Sequence, residues 1–370
     1  MSLRSLLFIV VFFVFNGSVL TQSIETKLQS VLDSIYNANP TSIGIMAHVE
    51  ASEKQLSWSG ASGFADKAKN NSLDKNQPAL IASNIKTYVS ATILRLVEMK
   101  KHSIEDPIKN LLTDKTRKLF EMGGYNLEAI KIKHLLSHTS GIANYANQDY
   151  INFISDNPKH RWTRDAQLEL TIKVGPPFSK PAEAYNYSDA NYLLLTEIIE
   201  NIYNKPFYTS MRELLDYESL GLTDTWIPTL EEKPKGTMDL VHQYWTQLKW
   251  DSHEIDVSVD LFGGGGIACT PADLAKFIHK LFNEKIIKDP AVFDLIYTEI
   301  KTNDSANSNY YLGLALYEYQ NLTAYGHGGF WGTLVLYFPD LEASISVVVL
   351  ERDQRQLRDD IINSIIPLLN

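Results

Sequence analysis

Ser83 and Lys86, three residues apart in "IASNIKTYVSATILRLVEMKK", are the first pair in this chain whose types and spacing suit covalent chemistry. The apolar spacing predicts a helix starting near Ser83, and one helical turn sets both side chains on the same face. A serine hydroxyl is a weak nucleophile until a base takes its proton. A nearby lysine amine assists when burial or other cations lower its pKa. The helix start also offers free N–H groups and partial positive charge to a developing oxyanion. Taken alone, the pair reads first as a helix cap and an exposed lysine, because Ser-x-x-Lys recurs by chance in long chains.

Other candidates have plainer readings. His134 and His138 lie four apart in "HLLSHTSG", but no HExxH pattern or third ligand accompanies them, so both read as structural. "GGGG" at 263–266 lacks the spacing of a dinucleotide fingerprint and reads as a tight loop near a cleft. Cys269, the single cysteine, reads as a small buried residue, and paired metal or redox cysteines are excluded. Read by themselves, Tyr187 is a half-buried aromatic and His327 a structural or turn histidine. Trp331 suits a pocket wall and a core equally. No Gly-x-Ser-x-Gly elbow surrounds Ser83.

The elements that must position these residues show two styles. "SIETKLQSVLDSI" predicts a first helix, and "TSIGIMAHVE" and "KQLSWSGASGF" predict two paired strands. The middle, about 106–254, is mostly helical with irregular Pro- and Gly-containing joints. "PADLAKFIHKLFNE" predicts a helix opened by Pro271. Four strands follow, in "YYLGLALYEY", "TAYGHGGF", "GTLVLYFP" and "ASISVVVLE", and an amphipathic helix closes the chain. The expected architecture is α+β: an antiparallel sheet built from both ends, about 22–105 and 255–370, with a helical subdomain inserted.

Composition sets outer bounds. The chain has 370 residues, 44% hydrophobic and 21% charged, which is ordinary for a globular protein. A formal charge of -10 without a long basic block argues against a nucleic-acid partner. Arg4 followed by "LLFIVVFFVF" and then more polar residues predicts a signal peptide over 1–21. Its apolar run is about half the ~20 residues a membrane span needs. The mature protein is expected to be secreted or periplasmic, without a stable membrane span.

Taken together, the segments resemble the serine β-lactamase and penicillin-binding-protein superfamily, above all class C β-lactamases, DD-carboxypeptidases and related esterases. Ser83-Asn84-Ile85-Lys86 matches the first motif, Tyr187-Ser188-Asp189 the second, and His327-Gly328-Gly329 the third. "IKHLLSHTSGI" and "GGGGIACTPADLAKF" look like accompanying features, and the likeness runs from about Gly44 to Leu350. The resemblance implies a β-lactamase/transpeptidase-like fold, no cofactor, and hydrolysis through an acyl-enzyme. Ser83 would attack, Lys86 would help move the proton, and Tyr187 would act as general base, its phenol pKa lowered by Lys86 and His327. The N–H groups of Ser83 and Phe330 would form the oxyanion hole, and Gly328 and Gly329 would admit substrate. The implied substrates are a peptide amide, an ester or a β-lactam, with peptidoglycan a further candidate. A β-lactamase and a catalytically weak peptide-binding homologue are the alternatives. Two positions depart from the pattern. Asp189 stands for the usual Asn, and an ionised Asp accepts hydrogen bonds without donating, which changes how it meets a substrate carbonyl. It remains placed to contact Lys86. His327 stands for the usual Lys, which shifts the expectation from β-lactamase towards peptidase or esterase.

Overall fold

The computed structural model describes residues 22–303 and 309–370, so the predicted signal segment lies outside the described residues. Helix α1 (Ile24–Ala38) begins where Ser23 accepts from the Thr26 N–H and buries Leu28 and Leu32. Strands β1 (Gly44–Ala51) and β2 (Leu56–Gly63) pair antiparallel, Ile45 opposite Ser62. Helix α2 (Ile85–Glu98) follows the Ser83 turn, and α3 (Asp189–Tyr203) and α4 (Pro271–Phe282) come later. The chain ends with β3 (Ala315–Tyr319), β4 (Leu322–Gly328), β5 (Thr333–Phe338), β6 (Ala343–Val349) and α5 (Leu357–Leu369).

These six strands form one antiparallel sheet in the order β2-β1-β6-β5-β4-β3. The join between the two ends of the chain is the β1–β6 pair, with Ile45 opposite Val349 and Ala47 opposite Val347. Strand side chains alternate between faces, and here both faces are covered. Ile45, Val49, Ile345 and Val347 pack with Leu28 and Leu32 of α1 and Ile361 and Ile365 of α5. On the opposite face Ser344 and Ser346 donate to the Ala275 and Pro271 carbonyls of α4, at 2.8 and 2.6 Å. That contact explains why "ASISVVV" carries serines and yet is buried throughout.

The helices between α2 and α4 enclose α2 on its other side. Helix α3 is buried from Ala190 to Ile199. Its one buried acid in that run, Glu197, accepts from the Thr113 N–H and the Thr116 hydroxyl, each at 2.8 Å. Tyr88 of α2 stacks on Phe277 of α4 with ring centres 3.6 Å apart. Thus α2 runs through the centre of the molecule, its first turn opening between the sheet and the helical region. Among the described residues, no helix is long and apolar enough to cross a membrane.

Candidate active site

Ser83 sits in a short turn, Ala82–Asn84, immediately ahead of α2. The chain enters this turn through Ala82 at φ +47°, a left-handed conformation that costs a residue with a Cβ about 1–2 kcal/mol. The expected cap is not made: no side chain caps the start of the turn or of α2. Ser83 Oγ instead accepts from Lys86 Nζ at 3.1 Å and donates to the Gly264 carbonyl at 3.4 Å. The turn is tied to the sheet by the Asn84 amide, which donates to the Ile81 carbonyl at 2.6 Å and to Thr333 Oγ1 at 2.8 Å. Gly329 lies against this knot. A Cβ there would fall 2.1 Å from Thr333 Oγ1 and 2.4 Å from the Ile81 carbonyl, so only glycine lets strand and turn meet.

Lys86 is fully buried. Its ammonium donates to Ser83 Oγ and to the Gly264 carbonyl at 2.7 Å, and forms an ion pair with Asp189 Oδ1 at 2.7 Å. Asp189 opens α3, where a carboxylate also meets the positive end of the helix. The departure from Asn therefore places a counter-charge on Lys86. The "GGGG" loop supplies the Gly264 acceptor, which settles its expected place beside the cleft.

A second acid stands behind that loop. Asp260 Oδ2 would be 1.7 Å from a Cβ on Gly265, so the glycine run exists partly to seat this carboxyl. Burial chiefly, and then the Asp189 carboxylate, push Asp260 up to about 7, with Lys86 opposing. An edge of Asp260 still meets solvent, but the dense packing around the carboxyl and the adjacent charge set the direction. The folded protein therefore binds a proton that the unfolded chain releases between pH ~4 and ~7, and stability falls as pH rises through that window. Asp260→Asn should flatten this slope and raise Tm at pH 8 more than at pH 5, as thermal melts at the two pH values would show.

Tyr187 shares a hydrogen bond with Ser83, and its ring lies on His138 with centres 4.1 Å apart. Its phenol was expected to be lowered by cations. The structure reverses that: burial first, then Asp189, pushes it well above its ordinary value. His327 supplies no cation, because burial and the Lys86 charge push it down to about 3. Both its ring nitrogens are occupied. Nδ1 is 2.7 Å from the Gly328 carbonyl, which can only accept, so Nδ1 carries the proton and Nε2 accepts from the Tyr310 hydroxyl at 3.0 Å. His327 thus lines the pocket without a free donor. His134 and His138 sit apart in role: His134 Nδ1 accepts from the Lys131 N–H and His138 Nδ1 from the Ser188 N–H.

Ser83, Tyr187, Asp189, His327, Gly328, Gly329 and Phe330 all border one cavity of about 530 Å³, with Lys86 just beneath. Tyr145, Tyr150 and Trp250 give it an aromatic wall, and Arg352, Arg355 and Arg358 a basic one. Trp331 is both pocket wall and core, at 4% exposed. The Phe330 N–H donates to no acceptor among the described residues. Sequence reasoning missed Asn84, Thr333, Asp260, Tyr310 and the arginines. Asp260 is flagged only by its glycine-rich neighbours, and Tyr310 by nothing in its local pattern.

A serine and a lysine at the mouth of a buried helix, beside a two-ended antiparallel sheet with inserted helices, define a β-lactamase/transpeptidase-like fold. The chain belongs to the beta-lactamase family, whose model matches residues 39–363. It is similar to Penicillin-binding protein 4* of Bacillus subtilis (strain 168), 23% identical over 283 residues, covering 73% of this chain and 59% of that protein. It is also similar to the teichoic acid D-alanine hydrolase of Staphylococcus aureus, 25% identical over 243 residues, covering 63% of this chain and 54% of that protein. The chain thus spans little more than half the length of these relatives. Among solved structures, the D-amino acid amidase of Ochrobactrum anthropi SV3 has the same fold, with a TM-score of 0.75 at 21% identity over 93% of this chain and 98% of that one.

Proposed function

We propose that the protein is a secreted or periplasmic serine hydrolase that cleaves an ester or a peptide-type amide through an acyl-enzyme on Ser83. The observation that carries this reading is Lys86 Nζ, buried and 3.1 Å from an Oγ that opens onto the cavity. Ser83 Oγ attacks the carbonyl carbon, and the oxyanion is received by the Ser83 and Phe330 N–H groups. Tyr187, held as a neutral phenol, passes its proton to the leaving atom while taking the one from Ser83, so no resting phenolate is required. The Lys86 charge stabilises negative charge as it builds on Oγ and on the Tyr187 oxygen. Water then attacks the acyl carbonyl and gives a proton to the Tyr187 hydroxyl, which passes its own to Ser83 Oγ as the acyl C–Oγ bond breaks and the acid leaves. The relatives named for D-alanine and D-amino-acid chemistry support D-configured acyl groups as substrates. At the third motif the occupied His327 has no charge to offer a carboxylate, which a β-lactam and a C-terminal D-Ala both carry, and this supports an ester or an amide without a free carboxylate as substrate.

The test is intact mass after exposure to a fluorophosphonate, followed by turnover of D-alanyl esters, D-Ala-D-Ala peptides and a chromogenic cephalosporin. The wild type should gain one adduct that Ser83→Ala lacks, and should turn over D-alanyl esters faster than the cephalosporin. Loss of the adduct from the wild type would leave a peptide-binding role in place of the hydrolase.

A further inference from the structure

Every other described arginine is paired: Arg95 with Glu98, Arg117 with Asp114, Arg161 with Asp256, Arg164 with Glu200 and Arg212 with Glu231. Arg352, Arg355 and Arg358, which border the cavity together, have no carboxylate within 4.0 Å among the described residues. The acids beside them are committed elsewhere. Glu351 accepts from the Ile43 N–H at 2.7 Å, Asp353 from the Thr246 N–H at 2.7 Å, and Asp359 from the Tyr319 hydroxyl.

Two of the three guanidiniums are held in place by the protein. Arg352 lies over the Trp245 and Phe330 rings, 3.9 and 4.4 Å from their centres, and its buried Nε has no acceptor among the described residues. Arg358 donates to the Thr333 and Arg355 carbonyls at 2.8 and 3.0 Å. Its Nη1 stands 3.6 Å from where a Cβ on Gly328 would be, at the strand that borders Ser83. The group also sits around the start of α5, where the helix already presents positive charge, so each cation is there against the local field. Burial and the neighbouring Arg355 charge push Arg352 down to about 10, with Asp353 opposing.

We infer that this wall is a subsite for a phosphate group carried by the substrate. One carboxylate saturates a single arginine fork, whereas three guanidiniums on one cavity wall, with most donors unused, match the charge and the several acceptor oxygens of a phosphate ester. Placed beside Gly328 and Phe330, the phosphate orients an acyl ester for attack by Ser83. The hydrolytic outcome rests on the function proposed above, but the binding does not.

The experiment uses the full chain carrying Ser83→Ala, titrated calorimetrically with glycerol 1-phosphate and, separately, with lactate. The phosphate ester should bind at least about tenfold tighter than the carboxylate, and adding Arg355→Gln should weaken it about tenfold. Arg355 makes no side-chain hydrogen bond or ion pair among the described residues, so its fold should be unaffected. In the protein with Ser83 intact, Arg355→Gln should raise KM for a phosphate-bearing acyl ester several-fold more than it changes KM for p-nitrophenyl acetate. Equal affinity for phosphate and carboxylate, or phosphate binding indifferent to Arg355→Gln, would overturn the subsite. Phosphate binding without turnover of any ester keeps the subsite and removes the hydrolase. Turnover without phosphate binding does the reverse.

Discussion

Lys86→Met should lower kcat/KM for an ester by about a thousandfold, and should also lower Tm. The first effect follows from Nζ standing 3.1 Å from Ser83 Oγ with no other cation in contact with it among the described residues. The second follows from the company Lys86 keeps. Without it, the Asp189 carboxylate, 14% exposed, faces Asp260 with no counter-charge, and breaking a buried pair in this way costs about 3–5 kcal/mol. The double variant Lys86→Met/Asp189→Asn separates the two. It should recover most of the lost Tm, because Asn carries no charge to strand, while turnover stays at the level of the single variant. Recovery of turnover together with Tm would show Lys86 to be purely structural.

Tyr187→Phe should lower kcat by about 10²–10⁴-fold for an amide, with KM little changed. The ring keeps its contact with His138, so folding should be preserved in a denaturant melt. The loss should be smaller for a p-nitrophenyl ester, whose leaving group departs as an anion, so that only the relay from Ser83 is lost. Equal losses for the two substrates would show that Tyr187 does not protonate the leaving atom.

The two outcomes bear on the residues where this chain departs from the family pattern. An Asn at 189 would leave the Lys86 charge uncompensated from that side. The Asp both balances Lys86 and, with Asp260, raises the Tyr187 phenol. His327 is turned inward onto Tyr310 and the Gly328 carbonyl, and Arg352, Arg355 and Arg358 border the cavity as well.

By itself the sequence determined the parts. Alternation and turn residues placed the six strands, the 3.6 period placed α1, α2, α4 and α5, and three motifs far apart in the chain named Ser83, Lys86, Tyr187 and the His327 strand. These are local signals, carried by spacing over a few residues. Protonation, pairing and direction are set by what lies within a few ångströms in space, and only the tertiary structure decided them. It replaced the expected cap at Ser83 with a bond to Lys86. It raised Tyr187 where a lowered phenol was expected, neutralised His327, and brought Asp260 from beyond the helical region to face Asp189. It also gathered Arg352, Arg355 and Arg358 on the wall opposite. A periodic pattern reports which way a side chain faces relative to its own helix or strand. It holds no record of which charge, arriving from a hundred or more residues away, will meet it there.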